Sequence, residues 1–406
     1  MDRLTPGSNA PGTSAGNTPH RVVVKVGTNL LTANGDRVDE RFIGDLAGQI
    51  ARLKAQSASV LVVTSGAVAA GRAPLGRTGR SNHLNPRSMP YRQVLASMGQ
   101  TQLMRIYEDR FGAHGMVPAQ VLVSRGDIQS RLGYLNIRNT LEALLEVGAV
   151  PVINENDVVA VEELEGQVFG DNDRLSALIA NLIDADLLIL LGEVEGMFTA
   201  DPHSDPGARL IREVEHIDEE LELAAGQAID GRGRGGMASK VAAARLATGS
   251  GTKVVIASGR VPDVLVRLCS GEGIGTAFHP SGSRVESRKR WILTGTSESR
   301  GCVTVDEGAS RALREQGRSL LPAGIVRAEG TFERGDIIAI AGPDGEVFAW
   351  GLANYSSADV IAIRGRRSTE VGTVLGHEYG PEVVHRNNMA LVEPPGAPRG
   401  KEDHGR

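Results

Sequence analysis

Six short aliphatic runs, set apart by longer segments with helical spacing, constrain this chain more than any other feature. They occupy residues 21–26, 59–64, 117–123, 149–153, 186–191 and 253–257. Each is continuous rather than alternating in polarity, as a strand covered on both faces should be. Between the runs, Val38, Phe42, Leu46, Ile50 and Leu53 recur with helical period, as do Leu135, Leu141, Leu144 and Leu145. Strand, helix, strand in this order predicts an α/β fold, a mainly parallel open sheet sandwiched by helices. Aromatic residues are only 3% of the chain, so its cores must rest on Val, Ile, Leu and Ala.

After residue 280 the texture changes. A polar, basic stretch over 281–290 reads as a linker. Beyond it, short strands at 291–293, 302–305, 324–327, 337–341 and 347–352 are separated by turn signals such as Arg334-Gly335-Asp336 and Gly342-Pro343-Asp344-Gly345. The expected organisation is a disordered tail over 1–20, an α/β catalytic domain over 21–280, the linker, a small β-rich domain over 291–393, and a second disordered tail over 394–406. The longest purely aliphatic stretch, 187–191, is too short to cross a membrane. The first twenty residues lack the apolar centre of a signal peptide. Two cysteines, Cys269 and Cys302, without metal-ligand spacing read as reduced thiols of a cytoplasmic protein. A net charge of −5 offers no overall attraction to nucleic acid or to an anionic membrane.

Two lysines in glycine-rich settings carry the chemistry. Lys25 ends the first aliphatic run and is followed by Gly27, Thr28 and Asn29. Alone it would read as a snorkelling side chain. With Gly27 it places a cation and backbone N–H groups at the carboxyl edge of the sheet, where open α/β sheets bind ligands. Thr64-Ser65-Gly66-Ala67 closes the second strand in the same way and could form a facing wall. Lys240 lies in the first turn of a helix that opens after the loop Gly231-Arg232-Gly233-Arg234-Gly235-Gly236. Those glycines formally match a dinucleotide fingerprint, but the preceding segment reads as helix and not strand, so that reading fails. No Walker A spacing is present either. A helix start with a lysine is a phosphate cradle.

Between the lysines lie Asn154-Glu155-Asn156-Asp157 at a strand end and Gly170-Asp171-Asn172-Asp173 at a helix start. Each could be turn or cap chemistry. On one sheet edge with Lys25 they suit a ligand bearing an ammonium group, and a carboxylate near both lysines would hold them in position. No Ser-His-Asp or Cys-His pairing is evident. A phosphoryl acceptor that is itself a carboxylate, with a reference pKa near ~4.3, needs no general base. The catalytic difficulty is then repulsion between two anions, which paired lysines oppose.

Residues 22–30, 63–71, 91–100, 151–158 and 170–177, together with Gly235-Gly236-Met237 and Lys240, resemble the glutamate 5-kinase family. The likeness runs from Arg21 to Val392, and its last part, with Trp291 and residues 303–309, resembles a PUA domain. It implies an amino acid kinase fold followed by a PUA-like barrel, and ATP-dependent phosphorylation of L-glutamate to L-glutamyl 5-phosphate, the first step of proline synthesis. By matching motif, Lys25 and Lys240 would stabilise the transferring phosphoryl group, and Asp173 would orient both. Ser65, Asp157 and Asn172 would bind glutamate. Lys25, Gly192, Glu193 and the segment Arg234, Gly235, Gly236, Met237, Ala238, Ser239 and Lys240 would line the ATP site. Mg²⁺ would bridge the phosphates, with no dedicated protein metal site. A homo-oligomer, dimer or tetramer, and feedback inhibition by proline are also implied. The chain departs from many members in carrying Gly192-Glu193 in place of Thr-Asp, in Arg232 and Arg234, and in a three-residue lengthening between Asp157 and Asp171.

The competing expectations are another kinase on the same fold, acting on aspartate, acetylglutamate, carbamate or a nucleoside monophosphate, or an RNA-binding or regulatory role for the C-terminal part. Residues 291–393 hold ten arginines and no lysine against fourteen carboxylates, a net −4, where an RNA-binding module should present a basic face.

Overall fold

The computed structural model describes residues 19–32, 37–80, 83–159, 172–200, 202, 205–227, 236–284, 289, 292–293 and 300–392. Most of both expected tails, Trp291, residues 285–288 and 290 of the expected linker, Arg232, Arg234, Gly235, Gly170, Asp171 and the lengthened segment lie outside these residues.

The order begins β1 (Arg21–Val26), α1 (Thr28–Thr32), α2 (Glu40–Ala55), β2 (Ser59–Val63), α3 (Ala67–Arg77), α4 (Met89–Gly112), β3 (Pro118–Val123), α5 (Arg125–Gln129), α6 (Arg131–Glu146) and β4 (Val150–Glu155). It continues with α7 (Asn172–Leu182), β5 (Leu187–Gly192), β6 (Glu213–Val214), α8 (Glu219–Gln227), α9 (Met237–Thr248), β7 (Lys253–Ser258), α10 (Val264–Cys269) and β8 (Thr276–Phe278). These strands form one eight-stranded sheet in the order β3-β4-β2-β1-β5-β7-β8-β6. Its pairs are parallel except β7 with β8. The expected aliphatic strands recur within a residue or two. β1 lies at the centre, with Val22, Val23, Val24 and Val26 wholly buried.

Alternate residues of β1 feed opposite cores, as a strand with helices on both faces requires. Val22, Val24 and Val26 pack with α2 and α4 residues such as Ile43, Ile50 and Leu103, while Val23 packs with Ile179, Ala180 and Ala244 of α7 and α9. β3 departs from the two-sided expectation: it is an edge strand, Leu122 is 40% exposed, and the adjoining Val117 is 68% exposed. Among the described residues β3 pairs with β4 alone, and at the sheet margin its faces are incompletely covered, so an aliphatic run there does not ensure burial.

α3 and α4 cross at backbone contact. A Cβ on Gly99 would lie 1.7 Å from the Ala67 carbonyl oxygen, and one on Gly71 would lie 1.9 Å from that of Leu95. Because the obstruction is backbone, no rotamer change relieves it. Gly99→Ala is therefore expected to lower stability by about 3 kcal/mol, the upper end of ordinary overpacking, in a denaturant titration. An unchanged midpoint would show that the helices are free to separate.

Among the described residues after 300, β9 (Gly301–Val305), β10 (Ile325–Gly330), β11 (Ile337–Ala341), β12 (Val347–Leu352) and β13 (Met389–Leu391) form a five-stranded sheet in the order β10-β9-β11-β12-β13. Short helices accompany it, among them Glu307–Gln316 and Ser357–Ile363. The sheet closes over its own core of Val303, Ile338, Ile340 and Tyr355. One expectation fails: Ile292 and Leu293 are helical rather than strand. Two apolar residues pack as well on a helix as on a strand, so a run that short does not specify its period. They join Ile337, Leu352 and Ala390 in a small cluster against Tyr134 of α6. Arg334 stacks 4.0 Å from the Tyr379 ring centre and donates to Asn136 Oδ1, also on α6. Among the described residues no helix is long and apolar enough to cross a membrane. Both thiols are free, and burial pushes that of Cys269 up to about 11.

Candidate active site

The carboxyl ends of β1, β2, β4 and β5 and the N-termini of α7 and α9 surround a cleft of about 690 Å³. Lys25, Gly27, Ser65, Gly66, Asp157, Asn172, Gly192, Glu193, Gly236, Met237 and Lys240 all line it. The strand-end and helix-start positions picked out separately in the sequence thus converge on one opening.

At its floor lies an ionic triad. Asp173, wholly buried in the first turn of α7, receives Lys25 Nζ on Oδ1 and Lys240 Nζ on Oδ2, the latter at 3.0 Å. Lys25 is 4% exposed and Lys240 6%. One carboxylate between two ammonium groups leaves a net positive charge, which a desolvated site tolerates only when a further anion compensates it. Ser239 Oγ also donates to Asp173 Oδ2, at 3.0 Å. β1 supplies Lys25 because the chain leaves the sheet there: Gly27 N donates to Leu191 O at 3.1 Å, turning the backbone into α1. Lys240 comes from the first turn of α9, whose N-cap is Gly236. Gly236, Met237 and Lys240 of that helix end line the same cleft, so cations and helix dipole reinforce one another. Ala238 is exposed in the same turn and does not line the cleft.

The second wall is built from amides. Asn172 Nδ2 donates to Thr64 O, to Ser65 Oγ at 3.0 Å and to Asn154 Oδ1 at 2.9 Å. Asn154 Nδ2 donates in turn to Gln100 Oε1 of α4 at 2.9 Å. Ser65 is therefore no side-chain cap; the N-cap of α3 is Gly66, whose φ of +89° favours glycine. Asn172 and Asp173 also do more than cap their helix, since their side chains reach across to β2, α9 and β1. Thr64 Oγ1 meets the Tyr107 hydroxyl at 2.9 Å, and burial pushes that phenol above its usual range, so it stays protonated.

On the opposite rim, Asn29 Nδ2 donates to Glu193 Oε2 at 3.5 Å, and Arg260 lies 3.8 Å from Glu193 and 4.0 Å from Asp39. Glu193 in place of an aspartate is thus tied to a neighbouring arginine. Sequence reasoning missed Arg260, Arg72 and Arg92; the last two line the cleft from α3 and α4. It also missed Gln100 as part of the polar wall. Arg92 and Gln100 lie inside the matching stretch 91–100, which assigns neither a role, and Arg72 and Arg260 stand outside any motif; only their place in the fold brings them to the site.

Asp173 is engaged by both lysines and so is poorly placed to ligate a metal. Among the described residues, the His, Cys, Asp or Glu grouping close enough to share an ion is Glu213, Glu215 and His279, which does not line the cleft. A Mg²⁺ ion in the cleft would thus take its ligands chiefly from bound phosphates, a donor set suited to that cation.

Buried cations at a sheet edge and a helix N-terminus, held by one carboxylate, define a site fit for phosphoryl transfer. Residues 20–258 match the Amino acid kinase family, and residues 301–375 match the PUA domain. Glutamate 5-kinase of Dehalococcoides mccartyi (strain 195) is 48% identical over 377 residues, covering 93% of this chain and 100% of the relative. Glutamate 5-kinase of Herpetosiphon aurantiacus is 47% identical over 369 residues, 91% of this chain and 97% of its own. The chain belongs to the amino acid kinase family and, within it, to the glutamate 5-kinases. Among solved structures, a UMP kinase from Bacillus anthracis aligns with a TM-score of 0.45 at 15% identity, over 66% of this chain and 98% of its own.

Proposed function

We propose that the protein transfers the γ-phosphoryl group of ATP to the side-chain carboxylate of L-glutamate, giving L-glutamyl 5-phosphate and opening proline biosynthesis. The Lys25–Asp173–Lys240 triad at the floor of the cleft carries this reading. The naming of near full-length relatives at 48% and 47% identity supports glutamate as acceptor.

In this reading the acceptor arrives already ionised, and no side chain has to remove a proton. What opposes reaction is the approach of a carboxylate to a polyphosphate. Lys25 and Lys240 lower that barrier by placing positive charge on either side of the moving phosphoryl group. Asp173 holds both ammonium groups before substrate binds, so little reorganisation remains for the reaction itself. Ser65, Asp157 and Asn172 hold glutamate on the amide wall. The N-terminus of α9, with Gly236, Met237, Ala238 and Ser239, and the rim at Gly192 and Glu193 hold the nucleotide. Arg234 and Gly235 extend that nucleotide segment. Mg²⁺ bound to the phosphates supplies further charge neutralisation. A homo-oligomeric, cytoplasmic enzyme inhibited by proline at the glutamate site completes the proposal.

A panel of acceptors tests it. L-Glutamate, L-aspartate, N-acetyl-L-glutamate, carbamate and UMP are each supplied with MgATP, with hydroxylamine trapping acyl phosphates and ADP release followed for all. Glutamate is expected to give the highest kcat/KM, by at least about a hundredfold, since the cleft's buried polar groups would go unpaired with the others. Dominant turnover of another acceptor would overturn the assignment.

A further inference from the structure

The amide wall has a fixed polarity, set jointly by the Thr64 and Glu155 backbone and by the Gln100 side chain. Glu155 N donates to Asn154 Oδ1 at 3.0 Å, so that oxygen must face the β4 backbone and the Asn154 Nδ2 group must face α4. There it meets Gln100 Oε1 at 2.9 Å. At the other end Thr64 O, a carbonyl with no donor to offer, requires Asn172 to turn Nδ2 towards it. Asn154 Oδ1 and Ser65 Oγ take the same orientation of Asn172. Flipping any one amide would set donor against donor or acceptor against acceptor in a buried site, which is strongly unfavourable. Gln100 is 8% exposed, and its Nε2 is buried without a hydrogen-bond partner among the described residues. A buried donor left unsatisfied is a cost to stability, and such costs tend to persist where function retains them.

With Nδ2 committed, the polar atom Asn172 has left to offer is Oδ1, an acceptor. The matching group on a ligand must be a donor. At neutral pH L-glutamate carries two carboxylates and one ammonium group, and only the ammonium donates. The geometry points to Gln100 as a positioning residue that locks the Asn154–Asn172 pair in the polarity that selects acceptors bearing an α-ammonium group. This rests on the glutamate reading above. It extends that reading to a residue on α4 that lies behind the cleft.

The test uses the full-length protein with Gln100→Met, which keeps the volume and removes the acceptor, and Gln100→Glu, whose carboxyl oxygens still accept from Asn154. Two ligands are compared: L-glutamate as substrate, and glutarate, which lacks the ammonium group, as a competitive inhibitor. Gln100→Met is expected to raise KM for glutamate about tenfold, the worth of one hydrogen bond to a charged group, with kcat, KM for ATP and Ki for glutarate within about twofold of wild type. Gln100→Glu is expected to keep KM for glutamate within about threefold. An unchanged KM in Gln100→Met overturns the inference. So does an equal rise in KM for glutamate and Ki for glutarate, as a merely loosened cleft would give. Should Gln100→Met fail to fold, Gln100→Asn, which withdraws the acceptor by one methylene, carries the same comparison and the same expected split. If the wild type instead phosphorylates a different ammonium-bearing acceptor, the glutamate reading fails, and the ratio taken with that acceptor and its deaminated analogue still decides the role of Gln100.

Discussion

Asp173→Asn is expected to lower kcat by about four orders of magnitude, with a far smaller change in KM for glutamate. The substitution is nearly isosteric and keeps a polar group in the first turn of α7. It removes the charge that holds Lys25 and Lys240 together in a site where Asp173 has no exposure and the lysines have 4% and 6%. Two ammonium groups left together without a counterion repel, and one swings away or loses its proton. Removing a single oxyanion donor elsewhere costs roughly a hundred- to a thousandfold. Here one change disturbs two donors and the Ser239 contact, hence the larger figure. Steady-state kinetics with saturating MgATP, backed by circular dichroism to confirm folding, checks it. A variant within about tenfold of wild type would mean that the triad is structural.

Lys25→Ala and Lys240→Ala are each expected to reduce kcat by about a thousandfold, and the double variant by little more than the worse single one. Groups that act on the same transferring charge are not additive, because either loss already breaks the arrangement. The two lysines enter from unrelated elements, the central strand and the start of α9, and meet on one carboxylate. Independent structural lysines would instead give losses that multiply. The four rates in one assay distinguish the cases.

Much of this was legible in the chain itself. Continuous aliphatic runs gave the parallel sheet, because a strand buried on both faces cannot alternate. Lys25 and Lys240 were legible because a lysine after a buried strand and another after a glycine loop each need an anion. What the residues could not supply was the pairing in space. That Asp173, rather than Asp157 or Glu155, bridges both lysines came from resemblance, since each acid sits equally well in a turn or helix start. Gly71 and Gly99 read as unremarkable small helical residues until the helices are seen in backbone contact. The matching stretch 91–100 that ends at Gln100 assigns that residue no role, and Arg260 has no local signature. Their meaning lies in partners 54 residues away on Asn154 and 67 residues away on Glu193. The helical Ile292-Leu293 pair shows the converse, a segment too short for its period to be read.

The most direct test follows ATP-dependent hydroxamate formation from L-glutamate, comparing wild type with the Lys25→Ala, Lys240→Ala double variant at equal folded concentration. Wild type should accumulate hydroxamate in step with ADP, while the double variant should stay at the protein-free background. A wild type inert towards glutamate, or a double variant retaining a tenth or more of its rate, on the order of 1.4 kcal/mol or less lost from the barrier, would contradict the claim that these two buried cations carry the transfer.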